Sequence, residues 1–537
     1  MHSPSNDATA TTLGRRGLLG LGAGVLGALS LGDRALAGPA ASARPSGYPF
    51  TLGVASGEPR PDSVVIWTRL ASEPLADDGF GGMPARDFAS KWQVAEDERF
   101  SVVVRAGAAR TGPEVGHSVH VEVDGLRPNR EYWYRFRLGT ELSPVGRTRT
   151  APDPAQSIAS MSFAFASCQS FGQGWFTPYE HMVQDDPDVV LFLGDYIYCQ
   201  PAGPVAYPGS PVASRILAPP RRCETLGDFR ARYATYKTDP HLQEAHRLLP
   251  WSVTIDDNEI ENDLWNDPDP AAVERRRAGY QAYWENMPLS PAQRPVGATM
   301  PGSFRRLRYG TLATFHMIDS RQFRTQPPTA VCAPEERPDG YCPDVLNPAS
   351  SILGDEQEAW LLDGLSSSGT TWNVLGNQIA FTQRDADGRL LPPEERDLGG
   401  GWDRYVADRQ TILDHLVADD IRNLVIVTGD SHRNWVLDTP RDYRTWDATV
   451  PPVCTEFMVT SITSGGERNP DPRYAPQKST PHLLYRDQSH GYGLTRLTPA
   501  EMRTDYRAVS TIWAPTSTVD TISSWVVHPD RPGASRA

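Results

Sequence analysis

Side chains of the kind that bind metals stand at or just beyond the ends of four apolar segments in this sequence. They are Cys168 in FAFASCQSF, Asp195 and Tyr198 in LFLGDYIYC, Asp256, Asp257, Asn258 and Asn262 in WSVTIDDNEIENDLW, and Asp430 and His432 in NLVIVTGDSH. A thiolate, a phenolate, a carboxylate and an imidazole form a strong-field set that suits a trivalent or redox-active metal, iron foremost. The sequence therefore points to metal chemistry at the ends of strands.

A second group of candidates offers mainly oxygen ligands. Asp257, Asn262 and Asp430, with Asp195 as a bridge, would suit Ca²⁺, Mg²⁺ or Mn²⁺. Two metals about 3.5–4 Å apart can hold a phosphoryl group and activate the attacking oxygen. Each residue alone has an ordinary explanation, such as a buried cysteine, a Gly-Asp turn or a solvated acidic loop. Their joint occurrence at strand ends favours a metal site.

The segments that would position these side chains alternate between strands and helices. Apolar segments such as SMSFAFASC and DVVLFLGDY predict buried strands, and GDEQEAWLLDGL and WDRYVADRQTILDHLVAD predict helices. This alternation predicts an α/β domain over residues 153–537, with its ligands at the ends of strands. Residues 44–152 show alternating β-branched segments with a turn at DGLRPN, which predicts a small all-β, fibronectin-like sandwich.

Residues 1–43 resemble a twin-arginine export signal. Arg15 and Arg16 precede an apolar stretch at 18–31, whose 14 residues fall short of the roughly 20 in a membrane-spanning helix. Small residues at cleavage-site spacing follow at 35–37 and 41–43. We therefore predict export by the twin-arginine translocase, a secreted or periplasmic location and no stable membrane anchor.

The overall charge limits the class of partner. With 52 Lys and Arg against 66 Asp and Glu, the net charge is −14. A field of this sign repels nucleic acid and anionic lipid, so no nucleic-acid-specific binding is expected.

The six cysteines could form disulfides in an oxidising destination. Cys332 and Cys342 bracket a polar, Pro-rich loop, which predicts a loop staple. Cys199 and Cys223 flank another Pro-rich loop and could pair in the same way. The sequence leaves the connectivity open.

Taken together, the motifs resemble those of one family. The segments GVASGEPRPDSVVIWTRL, SCQSF, LGDYIYC, IDSRQFR, GNQIAFT and VTGDSHRNW are similar, in this order, to those of the PhoD-type alkaline phosphatase/phosphodiesterase family, itself related to the calcineurin-like metallophosphoesterases. The resemblance spans nearly the whole chain after the export signal. It implies a metallophosphoesterase-like α/β sandwich after the small β domain, and a site with Fe³⁺ and Ca²⁺ that hydrolyses phosphate mono- or diesters.

The resemblance also implies roles for individual residues. The residues that would hold iron are Cys168, Asp195, Tyr198 and His432. The residues that would hold calcium are Asp195 as the bridge, Asp257, Asp430 and Asn262. Arg321 in IDSRQFR matches a family arginine that could clamp phosphate oxygens, although an internal salt bridge would explain it equally well.

Asn258 departs from the family pattern. The family usually has Asp-Asp-His-Glu where this chain has DDNE at 256–259. In related enzymes the histidine stabilises the transition state or protonates the leaving group. An asparagine donates a hydrogen bond but cannot transfer a proton near neutral pH, so substrates with good leaving groups should suffer least.

Two alternative functions remain open from the sequence. A phospholipase D-like phosphodiesterase would use the same site on lipid esters, and the loops at 200–222 and 325–345 would decide between the two substrates. A non-catalytic phosphate binder is the alternative that Asn258 suggests. The intact ligand set favours an enzyme, because a decayed enzyme tends to lose its metal ligands as well.

Overall fold

The computed structural model of this chain describes residues 47–201, 215–328, 343–383, 401–443, 449–465 and 481–537. The export signal predicted at 1–43 and the pair Cys332 and Cys342 lie outside these ranges, so both stay predictions. Within the ranges, no helix combines the length and the apolar character needed to cross a membrane.

Ten strands form the larger of two mixed sheets. Their bounds are Val54–Gly57 (β1), Ser63–Arg69 (β2), Ser118–Asp124 (β5), Met161–Ala166 (β9), Val189–Phe192 (β10), Pro250–Val253 (β11), Gly491–Leu497 (β19), Met502–Val509 (β20), Val519–His528 (β21) and Arg531–Arg536 (β22). They lie in the order β22-β21-β20-β19-β9-β10-β11-β1-β2-β5. The neighbours β9, β10 and β11 are parallel, and β10 and β11 are buried throughout, as expected of parallel strands covered on both faces.

Seven strands form the second sheet. Their bounds are Arg305–Tyr309 (β12), Ala313–Met317 (β13), Trp372–Asn377 (β14), Leu424–Thr428 (β15), Asn434–Thr439 (β16), Cys454–Met458 (β17) and Leu483–Asp487 (β18). They lie in the order β12-β13-β14-β15-β17-β16-β18, and β13, β14, β15 and β17 run parallel.

The two sheets pack on each other through an aromatic and aliphatic core. Phe163 and Leu191 of the larger sheet share one buried cluster with Phe315 and Val425 of the smaller. The rings of Phe163 and Phe315 meet edge to face with their centroids 5.2 Å apart. Because side chains alternate between the faces of a strand, the opposite face of each sheet needs a cover of its own.

Helices provide that cover. The six α-helices within the described ranges are Pro178–Asp185 (α1), Leu226–Tyr236 (α2), Pro240–Leu248 (α3), Pro270–Asn286 (α4), Gly354–Ser367 (α5) and Val406–Ala418 (α6). Helices α1 to α4 share a core with Val190 and Trp251 of the larger sheet. Helices α5 and α6 share a core with Leu375 and Ile426 of the smaller. The predicted α/β sandwich is therefore confirmed at this level, and its two sheets are mixed.

Several helices begin where the sequence signals them. Asp239 and Asp269 each cap a helix that starts with the following proline, and each side chain accepts bonds from backbone N–H groups of the first turn. Proline suits this first position because its missing N–H would have no partner within the helix. Thr225 and Asp228 form a reciprocal capping box at the start of α2.

The N-terminal strands form two layers, one of which belongs to the larger sheet. A five-stranded sheet consists of Phe88–Ala95 (β3), Val103–Thr111 (β4), Glu131–Leu138 (β6), Glu141–Leu142 (β7) and Gly146–Arg149 (β8). Val64 and Ile66 of β2 share a core with Tyr134 and Phe136 of β6. Strand β1 pairs in parallel with β11, so the N-terminal layer continues into the catalytic sheet. A sequence pattern does not reveal such pairing, because the partners lie far apart in the chain.

The suggested disulfide between Cys199 and Cys223 is wrong for this structure. Both residues are buried free thiols. The Cys223 N–H instead donates to the Cys199 carbonyl at 2.9 Å, which closes the base of the loop through the backbone. Cys168 and Cys454 are also buried free thiols.

Candidate metal centre

The four ligand-bearing segments meet at one edge of the two sheets. Strands β9, β10 and β11 are adjacent and parallel, so the residues that follow them emerge side by side. Strand β15 brings its own turn to the same point from the facing sheet. A β-carbon on Gly429, just after β15, would lie 2.7 Å from the β-carbon of Ser167, just after β9. The absence of a side chain at Gly429 therefore lets the two strand ends approach this closely.

The backbone is left-handed at four of the candidate ligands. The φ angles are 59° at Cys168, 57° at Asp195, 61° at Asp430 and 53° at His432. Residues with a β-carbon rarely adopt this conformation, and strain of this kind concentrates at functional sites. These turns point side chains from successive strand ends toward one place.

The first cluster of ligands joins both sheets. Ligand atoms of Cys168, Asp195 and His432 all lie within 4.8 Å of one another. The Cys168 Sγ is 3.5 Å from Asp195 Oδ2. The Tyr198 hydroxyl lies 3.0 Å from Nε2 of His432, which brings the phenol to the same point. The thiol, carboxylate, phenol and imidazole assigned to iron therefore converge.

A second cluster shares Asp195 with the first. Carboxylate oxygens of Asp195, Asp256 and Asp257 lie within 4.8 Å of one another. The buried Oδ2 of Asp256 has no hydrogen-bond partner among the described residues. Asp256 is therefore a further candidate ligand, which the sequence analysis noted at the strand end but left out of the calcium set. The pair of adjacent acids was the available signal.

Arg321 lies beneath this second cluster. Its Nε donates to Asp256 Oδ1, and its second amino group is 3.4 Å from Asp257 Oδ2. Only 2% of its side chain is exposed. Arg321 follows β13, and Asp319 fixes the turn by accepting the Arg321 N–H at 2.9 Å. In this arrangement the guanidinium binds carboxylates of the site.

Asn258 contacts carboxylates of both clusters. Its Nδ2 donates to Asp195 Oδ2 at 3.2 Å and to Asp257 Oδ1 at 2.7 Å. Its backbone N–H donates to Asp195 Oδ1 at 3.3 Å. An amide has two N–H hydrogens, so both are used within the site.

Asn262 and Asp430 occupy the periphery of the centre. Asn262 is exposed, and its amide donates to Asp263 Oδ2 at 2.8 Å. The next backbone N–H, that of Asp263, donates to Asp257 Oδ2 at 2.7 Å. Asp430 is half-buried, and its charge contributes to raising the pKa of Asp195 and of Cys168.

Glu259 supports the centre, a role that the sequence analysis missed. Its Oε1 accepts the Tyr196 N–H at 2.6 Å, and its Oε2 accepts the Asp256 N–H at 3.0 Å. Burial raises the pKa of Glu259 to about 7. The side chain ties the segment after β10 to the segment after β11. Only its place directly after the candidate acids hinted at this role.

Comparison with known proteins decides the family. A family described as PhoD-like phosphatase matches residues 163–506, and one described as the N-terminal domain of PhoD-like phosphatase matches residues 35–152. The chain belongs to the PhoD-like phosphatase family. The predicted family is therefore confirmed, and with it a phosphoesterase.

Individual relatives agree with this membership. Alkaline phosphatase D of Bacillus subtilis (strain 168) is 40% identical to this PhoD-like phosphatase over 528 residues, which cover 95% of this chain and 87% of that protein. A solved structure of PhoD is similar with 37% identity and a TM-score of 0.80, with 92% of each chain covered. A purple acid phosphatase from yellow lupin (Lupinus luteus) seeds shares the fold, with a TM-score of 0.54 at 12% identity over 90% of this chain and 74% of the other.

The protein groups of this PhoD-like phosphatase repel one another at the centre. Burial raises the pKa of Asp195 well above its ordinary value, and the charges of Asp257 and Asp256 raise it further. Burial and the charge of Asp195 likewise raise the pKa of the Cys168 thiol. Cations would replace this repulsion with attraction, and the ligand types present suit metal ions. The donor set and the unpartnered oxygen of Asp256 therefore fit a metal centre.

Proposed function

We propose that this PhoD-like phosphatase is an exported hydrolase that releases phosphate from organic phosphate mono- or diesters with Fe³⁺ and Ca²⁺ as cofactors. The observation that carries the proposal is that Asp195 belongs to two ligand clusters, one with Cys168 and His432 and one with Asp256 and Asp257. A carboxylate shared in this way suits a pair of metal ions that act on one phosphoryl group. The thiol and the imidazole belong to one cluster, and the carboxylates of Asp256 and Asp257 belong to the other.

The donor types suggest which side would take which ion. The residues for Fe³⁺ would be Cys168, Asp195, Tyr198 and His432. The residues for Ca²⁺ would be Asp195, Asp257, Asp430 and Asn262, with Asp256 as an addition. When bound, such ions neutralise charge on the phosphoryl group and lower the pKa of an attacking water.

Asn258 would orient the metal-binding carboxylates. Both of its amide hydrogens are used by Asp195 and Asp257, at 3.2 and 2.7 Å. The amide therefore has no hydrogen left to donate to a leaving group, and it could not protonate one in any case. Esters with good leaving groups therefore suit this site best. The same residue keeps a non-catalytic phosphate binder as the second candidate.

Arg321 would bind the metal-binding carboxylates rather than the substrate. Its side chain is 2% exposed and is ion-paired with Asp256 and Asp257. A guanidinium held between two carboxylates restrains both, and it partly offsets their mutual repulsion. Direct contact with phosphate oxygens, the role implied by the family resemblance, would require this pair to open.

The protein would also be exported from the cytoplasm and have a fibronectin-like N-terminal region. The Arg15–Arg16 pair and the short apolar stretch after it support passage through the twin-arginine translocase to a secreted or periplasmic location. The two-layer packing of Val64 and Ile66 against Tyr134 and Phe136 supports a fibronectin-like arrangement of residues 44–152.

The test combines metal analysis and turnover on one sample. The protein is exported by its own signal, its metals are measured by mass spectrometry, and hydrolysis of mono- and bis-(4-nitrophenyl) phosphate is assayed. We expect iron and calcium together with turnover, and the ratio of the two rates gives the preference for mono- or diesters. Metal without turnover would favour the phosphate binder, and protein without metal would contradict the shared-carboxylate site. Faster release of the headgroup from phosphatidylcholine than from either aryl ester would favour the phospholipase D-like alternative.

A further inference from the structure

The segment that follows β17, residues 461–465, wraps around the backbone of Cys168. Ser461 forms a parallel bridge with Ser167, which joins the end of β17 to the end of β9. The Ser464 N–H donates to the Cys168 carbonyl at 3.2 Å. The segment therefore connects the two sheets directly beside the candidate iron ligands, although it contributes no ligand of its own to either cluster.

The hydroxyl of Ser464 binds the backbone of one of those candidate ligands. Its Oγ donates to the Cys168 carbonyl at 2.7 Å. Only 1% of Ser464 is exposed, and Ser461 Oγ holds the Ser464 carbonyl at 2.7 Å, so the side chain has a fixed place.

The Cys168 backbone needs such support. Its φ of 59° is unfavourable for a residue with a β-carbon, and it persists only where the surroundings hold it. Two bonds from Ser464 converge on the carbonyl of this strained residue. The direction of the Cys168 thiol follows from the backbone that these two bonds hold.

We propose that Ser464 is a positioning residue of the metal centre, whose hydroxyl and backbone N–H fix the strained Cys168 backbone so that the sulfur faces the iron ion. The proposal rests on the function proposed above, since it concerns the iron side of that site. Hydrogen-bond partners behind metal ligands orient those ligands and tune the metal. Ser464 would thus set the geometry and the electronic state of the iron side.

The test is Ser464→Ala in the full chain loaded with iron. Thiolate and phenolate ligands give Fe³⁺ a visible charge-transfer absorption, which reports their geometry. We expect the band of Ser464→Ala to shift and its iron affinity to fall roughly 10- to 100-fold, the usual cost of losing a partner behind a ligand. Should the alanine variant not fold, Ser464→Gly removes the same hydroxyl and is measured in its place.

Thr463→Val is the matched control. Thr463 belongs to the same buried segment, and its hydroxyl donates to the Ser170 carbonyl at 2.8 Å rather than to a candidate ligand. We expect this variant to keep the wild-type band and iron affinity. An unchanged band and affinity in Ser464→Ala, or an equal change in Thr463→Val, would overturn the assignment while leaving the proposed function intact. Wild-type protein that takes up no iron would overturn both.

Discussion

The two sheets contribute to the metal centre in different ways. Three candidate ligands that follow β9, β10 and β11 are almost fully buried, with exposures of 0% for Cys168, 2% for Asp195 and 5% for Asp257. Asp430 and His432, which follow β15, are half-buried. These three side chains form a buried floor on the larger sheet, and the smaller sheet supplies a side that solvent can reach. Burial holds the candidate ligands of the larger sheet in fixed positions, whereas those of the smaller sheet stay accessible to solvent.

Substitution of His432, a candidate ligand that solvent can reach, should have the largest effect on activity. We expect His432→Ala to lose its iron and at least about 100-fold of its activity, because even partners behind a ligand are worth roughly 10- to 100-fold. The melting temperature of the protein should change little, since the residue is half-buried. Turnover of bis-(4-nitrophenyl) phosphate, iron content and thermal unfolding are measured together.

A substitution of a buried candidate ligand of the larger sheet is the counterpart of His432→Ala. Asp195→Asn keeps the volume of the shared carboxylate and should lose calcium as well as iron, whereas His432→Ala should keep its calcium. An active, iron-replete His432→Ala would contradict the assignment of that residue to the metal.

Gly194→Ala tests the rigidity of the floor. A β-carbon there would lie 2.3 Å from the β-carbon of Asp256, and the backbone φ is +99°. Overpacking in a well-packed interior costs about 1–3 kcal/mol in free energy of unfolding. Gly369→Ala is the control, because its φ is +59° but nothing lies within 4 Å of the added carbon. Equal losses in urea denaturation would mean that the strand ends yield and that the floor is not rigid.

Lys237 is a titratable residue that contacts Tyr196, the residue directly after the candidate ligand Asp195. Its Nζ donates to the Tyr196 hydroxyl at 3.1 Å and lies 4.4 Å from the centre of the Trp67 ring. Burial lowers the pKa of Lys237 from 10.5 to about 7. Between these values the unfolded chain binds the proton and the folded chain does not, so stability rises with pH across this window.

Lys237→Met should remove that dependence. From about pH 7.5 to about pH 9.5, Lys237 should add about 2 kcal/mol to the free energy of unfolding of the wild type, since one pH unit is worth about 1.4 kcal/mol per proton. The difference between wild type and variant in urea denaturation at the two pH values isolates this contribution. Parallel pH profiles would show that Lys237 keeps its ordinary pKa in the folded protein.

Asn258→His should have the smallest effect, and a selective one. A histidine could protonate the leaving group, so kcat/KM should rise at least about tenfold for phenyl phosphate and less for 4-nitrophenyl phosphate, whose leaving group needs no proton. Asn258→Gln, which keeps an amide, is the control. An equal gain on both substrates would contradict the proton-transfer argument.

The positions of the candidate ligands at strand ends were predictable because their signal is local. An apolar segment followed directly by Cys168, Asp195 or His432 carries both the strand and the ligand within a few residues. The supporting residues were not predictable in this way. Ser464 acts on Cys168 from 296 positions away, and Glu259 acts on Tyr196 from 63 positions away.

The bonding of Arg321 and of the pair Cys199 and Cys223 could not be decided from the sequence either. Arg321 could be assigned to phosphate or to an internal ion pair, and only folding brings it to Asp256, 65 positions earlier in the chain. Cys199 and Cys223 flank one loop in the sequence, as a disulfide would require, yet they remain thiols. Spacing in the sequence indicates that two residues can meet but not how they bond.

The position of β1 determines how late in synthesis the larger sheet can close. Strand β1 lies between β11 and β2, with Ser56 opposite Pro250, so an early segment must wait for a much later one before its sheet can close. Pairings over such a separation slow folding, because the entropy of a long loop is lost before the contact forms. Deleting residues 44–152 would accordingly remove internal strands of the catalytic sheet and leave an open edge on β11. We therefore expect that the N-terminal region cannot be removed without loss of function and that a shortened chain aggregates.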